Sequence, residues 1–339
     1  MNEIKTKKYL HIPLNKLLIL GLILVGLGFL IGMMVTKNKK SLEATELHSQ
    51  NSASNPYAFI SPLLECNNFQ DFSNKLINKI KQVTLKEINT DKENGMSSHV
   101  SVYFRDLNNG PWFGFNEKEE FVPGSLLKVP LMISAYKISE QDPSLLDKKV
   151  LFEKKIIDVT QHFEPLEEIK LGQEYTIDQL VRSMIINSDN EATLLLGQEI
   201  NQNQLMDIYS DLGIDKPTGF DTKMAVRTYA SFFRVLFNAT YLSKDFSEKA
   251  LSLLSQTDFN KGLRAGVPSS IKIAHKFGER TSEGVQLHDC GIIYYPLHPY
   301  VLCIMTRGND YDQLAKVVKN ISNVVYKVID DEYKTPYEL

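Results

Sequence analysis

The chain has 339 residues, of which 43% are hydrophobic and 23% are charged, a composition ordinary for a globular protein with a sizeable core. Its formal net charge is −3, but residues 1–40 hold seven lysines and one glutamate, so the remainder carries −9. Because phosphate binding needs a basic face, this acidic body argues against a nucleic-acid partner.

Residues 17–35 form an uninterrupted run of 19 apolar residues or glycines. At about 1.5 Å per residue, a helix of this length crosses a hydrocarbon core of roughly 30 Å. A cleaved signal peptide is the alternative, but its apolar region usually has about 7–15 residues, and no small-residue cleavage site follows here. We therefore expect an uncleaved, single-pass membrane anchor over 17–36, with the basic segment 1–16 inside the cell and the body extracytoplasmic.

Composition divides the rest of the chain. Residues 37–67 are polar and carry Ser-Gln-Asn-Ser-Ala-Ser-Asn-Pro in the middle, which is typical of a tether. Residues 68–332 are predicted to form one folded domain, and 333–339 a short tail.

Hydrophobic spacing predicts a helix, two strands, many helices, three strands and a last helix. The strands are expected at 100–104, 112–115, 271–275, 288–294 and 301–306, and the clearest helices at 71–88, 177–187, 225–242 and from 314 to 328. This order predicts an α/β fold, a split α+β sandwich. One antiparallel five-stranded sheet is built from both chain ends, with terminal helices over one face and a helical subdomain against the other.

The three cysteines, Cys66, Cys290 and Cys303, show no metal-ligand spacing. A turn centred near residue 297 would pair Cys290 with Met305 and leave the two nearby thiols as diagonal neighbours. Two buried free thiols are therefore favoured over a disulfide.

The first candidate motif is Ser125-Leu126-Leu127-Lys128, which follows Pro123-Gly124 at a predicted helix start. The i, i+3 spacing puts the hydroxyl and the amine on one helical face, where free backbone N–H groups can stabilise an oxyanion. Alone this pattern is weak, because it recurs at Ser134/Lys137 and Ser269/Lys272. Pro130 also fits a helix poorly unless the first turn is tight.

Two further motifs follow in order. Ser188-Asp189-Asn190 lies between two predicted helices, where it would also serve simply as a helix N-cap. Lys276-Phe277-Gly278 ends a predicted strand, where a surface lysine before a glycine turn is the alternative. Together, S-x-x-K, S-D-N and K-x-G resemble the three-part signature of class A β-lactamases and penicillin-binding proteins, from about residue 71 to 330.

The resemblance implies a serine hydrolase without cofactor or metal, acting on a β-lactam or a D-alanyl-D-alanine peptide. Ser125 is implied as the nucleophile, Lys128 as its base and Ser188 as the proton shuttle to the leaving nitrogen. As a base, Lys128 needs a pKa lowered from about 10.4 to near 7–8.

The same resemblance implies the substrate-binding residues. Asn190 would orient the substrate amide, and Lys276, beside Gly278, would meet the substrate carboxylate. The oxyanion hole would use the backbone N–H groups of Ser125 and Glu279.

Two departures from the family pattern concern substrate and turnover. Phe277 stands where the family has a Thr or Ser that donates to the substrate carboxylate. The Glu-x-x-Leu-Asn stretch, whose Glu activates the deacylating water, is absent between Ser188 and Lys276. In its place residues 214–223 run straight into the next predicted helix, and Asp215 and Asp221 are the only acids in that short stretch.

Three functions stay open at this point. The first is β-lactam hydrolysis, favoured by S-D-N. The second is a cell-wall D,D-peptidase or transpeptidase, favoured by the missing Glu. The third is a non-catalytic wall-binding module, disfavoured because all the motif residues survive together.

Overall fold

A computed structural model of the chain describes residues 57–62, 72–108, 110–157, 161–219 and 221–334. The predicted anchor at 17–36 and Cys66 lie outside the described residues. Within the described ranges, no helix combines the length and the apolar character needed to span a membrane. The membrane anchor and the limits of the predicted domain stay predictions.

The strands form one five-stranded antiparallel sheet with the order β2-β1-β9-β8-β7. These strands are β1 (His99–Asp106), β2 (Trp112–Phe115), β7 (Ile273–Arg280), β8 (Val285–Ile293) and β9 (Tyr300–Gly308). Two short two-stranded pairs add β3 (Glu120–Phe121) with β6 (Met224–Ala225), and β4 (Lys149–Leu151) with β5 (Glu174–Thr176). The predicted sheet, built from both ends of the domain, is confirmed.

The helices divide between the two faces of this sheet. The terminal helices are α1 (Asn74–Glu93) and α8 (Tyr311–Tyr333). The subdomain contains α2 (Lys128–Ser139), α3 (Ile177–Ile186), α4 (Asn190–Glu199), α5 (Gln202–Asp211), α6 (Val226–Phe237) and α7 (Lys244–Leu254). Helix α3 begins with a capping box between Thr176 and Gln179.

Strand alternation produces two cores. On β9, Val301, Cys303 and Met305 face the helical subdomain, while Leu302 and Ile304 face the terminal helices. Both faces of β9 are therefore buried, which explains why its residues 301–305 are continuously apolar. The third motif lies on β7, the edge strand, which contacts the turn that precedes α2.

The cysteine prediction is wrong. Ile293 pairs with Tyr300, so six residues connect β8 to β9 and the register falls two residues short of the predicted one. Cys290 therefore lies directly opposite Cys303, with 4.0 Å between their Cα atoms, and the two form a cross-strand disulfide.

Residues 57–62 pack against the domain. The backbone N–H groups of Ala58, Phe59 and Ile60 donate to the carboxylate of Glu248 on α7, at 2.7 to 3.1 Å. The compact unit accordingly begins at Tyr57.

Candidate active site

Ser125 lies in a 3₁₀ turn, Gly124–Leu127, that runs directly into α2 at Lys128. Since the α-helix proper begins at Lys128, Pro130 falls in its first turn, where backbone N–H groups have no intrahelical acceptor. The tight turn that the motif required is therefore present, and Pro130 forfeits no helical hydrogen bond.

Gly124, just before the first motif, and Gly278, in the third, allow the backbone of this turn to contact β7. Gly124 has φ +56°, and a Cβ there would collide with the carbonyl oxygen of Glu279 and lie 3.3 Å from its nitrogen. A Cβ on Gly278 would collide with the Pro123 carbonyl. Only glycine allows this approach. It places the backbones of Ser125 and Glu279, the expected oxyanion donors, next to each other.

The S-D-N tripeptide caps a helix through one residue and places the other two in the site. Asp189 is the N-cap of α4 and accepts from Ala192 N at 3.0 Å, so the capping interpretation holds for this residue. Ser188 is fully buried at φ +58°, a left-handed conformation that is uncommon for residues other than glycine and that clusters at functional sites. This backbone turn directs Ser188 and Asn190 toward the lysines.

Lys128 is buried, and all three N–H groups of its ammonium donate to this motif. Its Nζ donates to Ser188 O at 2.6 Å, Asn190 Oδ1 at 2.8 Å and Ser188 Oγ at 3.1 Å. Burial, followed by the positive charge of Lys276, holds the pKa of Lys128 well below its ordinary value. A neutral amine has two donors and one lone pair. Deprotonation therefore frees one position on Nζ.

Lys276 reaches the same hydroxyl from the sheet. Its Nζ donates to Ser188 Oγ at 2.9 Å, and burial lowers its pKa to about 7. The Ser188 oxygen accepts from both lysines and so uses both of its lone pairs. Its own proton is left free to donate into the site, which is what a shuttle to a leaving nitrogen requires.

The ring of Phe277 packs into an aromatic cluster. Its ring stacks on Phe259 at a centroid distance of 4.1 Å, and Phe163 meets both rings edge-on. The neighbouring Glu279 carboxylate accepts from the backbone N–H groups of His162 and Phe163, at 2.6 and 3.2 Å.

Sequence reasoning missed the residues that hold the segment before α3 against the motifs. Besides Glu279, Glu191 accepts from Ile156 N at 2.9 Å and Asp189 from Ile169 N at 2.8 Å. Each bond joins a carboxylate to a distant backbone N–H, which has no sequence signature. The only sequence signal for these contacts was that Glu191 and Glu279 directly follow the second and third motifs.

The two acids considered for deacylation lie on the surface. Asp221 is exposed and pairs with Arg280 at 3.0 Å, and Asp215 is also exposed. Neither residue has the burial that characterises the lysine site.

The sheet, the helical subdomain and the convergence of Lys128 and Lys276 on Ser188, beside the turn that holds Ser125, define the class of a β-lactamase-like serine hydrolase. A family model described as "Beta-lactamase enzyme family" matches residues 76–329. The chain therefore belongs to the β-lactamase enzyme family. No curated protein matches it.

Solved structures share the fold at low sequence identity. PBP-A is 18% identical with a TM-score of 0.62, over 81% of this chain and 99% of that one. A β-lactamase from Xanthomonas campestris pv. campestris is 17% identical with a TM-score of 0.64, over 74% and 99%. The L2 protein complexed with relebactam is 19% identical with a TM-score of 0.61, over 68% and 91%.

Proposed function

We propose that the chain opens β-lactam rings through an acyl-enzyme on Ser125. The observation that carries the proposal is the convergence of Lys128 and Lys276 on one hydroxyl, that of Ser188, beside the turn that holds Ser125. Two buried amines are costly to a fold, and the cost is explained if a deprotonated lysine is needed for chemistry.

The proposed acylation has two steps, attack on the lactam carbonyl and cleavage of the C–N bond. Ser125 Oγ forms a bond to the lactam carbonyl carbon while its proton passes to neutral Lys128. The carbonyl oxygen becomes an oxyanion held by the backbone N–H groups of Ser125 and Glu279. When the C–N bond breaks, Ser188 gives its proton to the leaving nitrogen and recovers one from Lys128, which returns to the neutral form. Asn190 orients the substrate amide, and Gly278 lets β7 approach the turn that holds Ser125.

A D,D-peptidase or transpeptidase acting on D-alanyl-D-alanine muropeptides is the second candidate. It requires the same acyl-enzyme and no positioned hydrolytic water. The observation that favours it is the absence of Glu-x-x-Leu-Asn between Ser188 and Lys276, together with the exposure of Asp215 and Asp221. A mutant of the structurally similar PBP-A is known as an acyl-enzyme complex with penicillin G.

We also propose that residues 17–36 anchor the chain in the cell membrane as a single span, with the catalytic domain extracytoplasmic. The 19-residue apolar run supports this. After a carbonate wash the full-length chain should stay in the membrane fraction, and external protease should leave a small N-terminal fragment. A soluble mature form beginning near Lys37 would contradict the anchor.

Two measurements on the full-length chain in detergent separate the candidates. Steady-state hydrolysis of a chromogenic cephalosporin supports the β-lactamase function, whereas lasting covalent labelling by a fluorescent penicillin without turnover supports the peptidase. If neither occurs, both proposals are wrong and the wall-binding alternative takes their place.

A further inference from the structure

The third motif lacks the hydroxyl with which its relatives are expected to hold a substrate carboxylate. Phe277 supplies no donor, and its ring is only 2% exposed. The stack on Phe259 and the edge contact with Phe163 fix that ring. No rearrangement of residue 277 can therefore restore a polar contact at this position.

The remaining cation, Lys276, is already compensated. The carboxylates of Asp258, Asp289 and Glu279 all act on its ammonium, and each raises its pKa against the larger effect of burial. The ammonium also lies 4.4 Å from the centroid of the Phe277 ring. A cation surrounded in this way has little remaining attraction for an incoming anion.

The three carboxylates are held by contacts that leave their charges largely in place. Glu279 accepts from the backbone of His162 and Phe163, and Asp258 from Leu166 N at 3.2 Å. Asp289 accepts from Leu263 N, and its other oxygen lies 2.8 Å from His275 Nδ1. Backbone N–H groups stabilise a carboxylate but add no positive charge.

Other cations in this region do not replace the missing hydroxyl donor. Arg280 and Lys261 pair with Asp221 and Asp312, at 3.0 and 3.2 Å. On β8, the residue opposite Gly278 is His288. Burial lowers the pKa of His288 to about 4, so it is neutral at pH 7.

We propose that this acyl site selects substrates whose leaving-group side carries no carboxylate, being neutral or cationic at the position beside Phe277 and Lys276. The proposal rests on the proposed acylation of Ser125. An anionic group at this position would find no hydroxyl donor on residue 277 and would be repelled by the carboxylates of Asp258, Asp289 and Glu279. A neutral ester or amide would lose nothing there, and a cation would gain.

The test compares two acyl donors that differ only in this group, benzylpenicillin and its methyl ester. Acylation of the full-length chain in detergent is followed by intact-protein mass spectrometry, with the modified residue mapped to Ser125. We expect the ester to acylate at least as fast as the acid. In Phe277→Thr, the acid-to-ester ratio of rates should rise about tenfold or more, as expected for one restored hydrogen bond to a charged group.

Two further variants sharpen the comparison. Phe277→Leu keeps the position apolar and should leave the ratio unchanged. Glu279→Gln removes one negative charge while keeping a carbonyl acceptor for His162 N, so the ratio should rise even if Phe277→Thr does not fold. An acid that reacts tenfold faster than the ester in the unmodified chain overturns the inference alone. Failure of both compounds to modify Ser125 overturns the inference and the proposed function together.

Discussion

The side chain of Lys128 reaches the backbone carbonyl of Ser188 across 2.6 Å, which ties the start of α2 to the loop before α4. This bond fixes the ammonium independently of the Ser125 hydroxyl. Removal of Ser125 should therefore leave the lysine geometry and the fold intact, so nucleophile and scaffold can be tested separately.

Ser125→Ala should abolish covalent labelling by a fluorescent penicillin while shifting the free energy of unfolding by no more than about 0.5 kcal/mol. Ser125 is only half-buried, and alanine keeps its β-carbon, so little packing should be lost. Labelling in gels and thermal unfolding of the full-length chain provide the measurement. Ser269→Ala, at another S-x-x-K match, is the matched control and should label normally. Persistent labelling of Ser125→Ala would remove Ser125 as the nucleophile.

The acylation rate should rise with pH through a midpoint well below the ordinary pKa of lysine. Burial and the charge of Lys276 lower the pKa of Lys128, and only the neutral amine can accept the Ser125 proton. Lys276→Met removes that charge, so the pKa of Lys128 and the midpoint should both rise. Lys276→Arg keeps the charge and should keep the midpoint near its original pH. Single-turnover acylation between pH 5 and about 10 measures this, and an unmoved midpoint in Lys276→Met would contradict the electrostatic argument.

Acylation of Ser125 should be faster than hydrolysis of the acyl-enzyme. A positioned base is worth roughly 10²–10⁴ in rate, and the chain lacks the family's Glu. Excess penicillin should give a burst near one equivalent followed by a slow phase, with mass spectrometry showing the opened drug on Ser125. Because both side chains are exposed, Asp215→Asn and Asp221→Asn should not change the slow phase. A collapse of turnover in either variant would identify the missing base.

Asp91→Asn should stabilise the fold at pH 7.5 by about 1–2 kcal/mol. Asp91 lies between α1 and α8, where burial raises the pKa of its carboxyl to about 6 although Asn320 Nδ2 donates to it at 3.0 Å. Ionisation above pH 6 therefore costs the folded state more than the unfolded one. The gain should shrink as pH falls through 6 and vanish below about 4, where both states are protonated.

Denaturant unfolding at several pH values measures this gain. The exposed Asp331→Asn, near the end of α8, is the control and should show no comparable gain. An equal gain for Asp91→Asn at pH 4 and pH 7.5 would show that packing, rather than charge, is responsible.

Periodicity and capping predicted those parts of the fold whose stabilisation is local. The limits of β2 and the start of α3 at Ile177 are confirmed, since a hairpin turn and a capping box mark them. Strand β7 was predicted to end at His275 but continues to Arg280. Lys276, Glu279 and Arg280 interrupt the apolar pattern of the later residues, although their backbone completes the sheet edge.

The site was predictable to the level of its motifs and no further. The order of S-x-x-K, S-D-N and K-x-G indicated which side chains would meet, and the structure brings Lys128, Ser188 and Lys276 together. The carboxylate contacts of Glu279 were invisible, because their partners are backbone N–H groups more than a hundred residues away. The cysteine register failed because it depends on the length of one connection.

The left-handed backbone at Ser188 sets backbone strain against side-chain hydrogen bonding at a single position. Glycine adopts φ +58° without steric cost, so backbone strain alone would favour Ser188→Gly. That exchange would also remove the oxygen on which both lysines converge, and leaving a buried donor without its partner costs about 1–3 kcal/mol. A search for thermostable variants should therefore keep the strained serine, although glycine fits its backbone better.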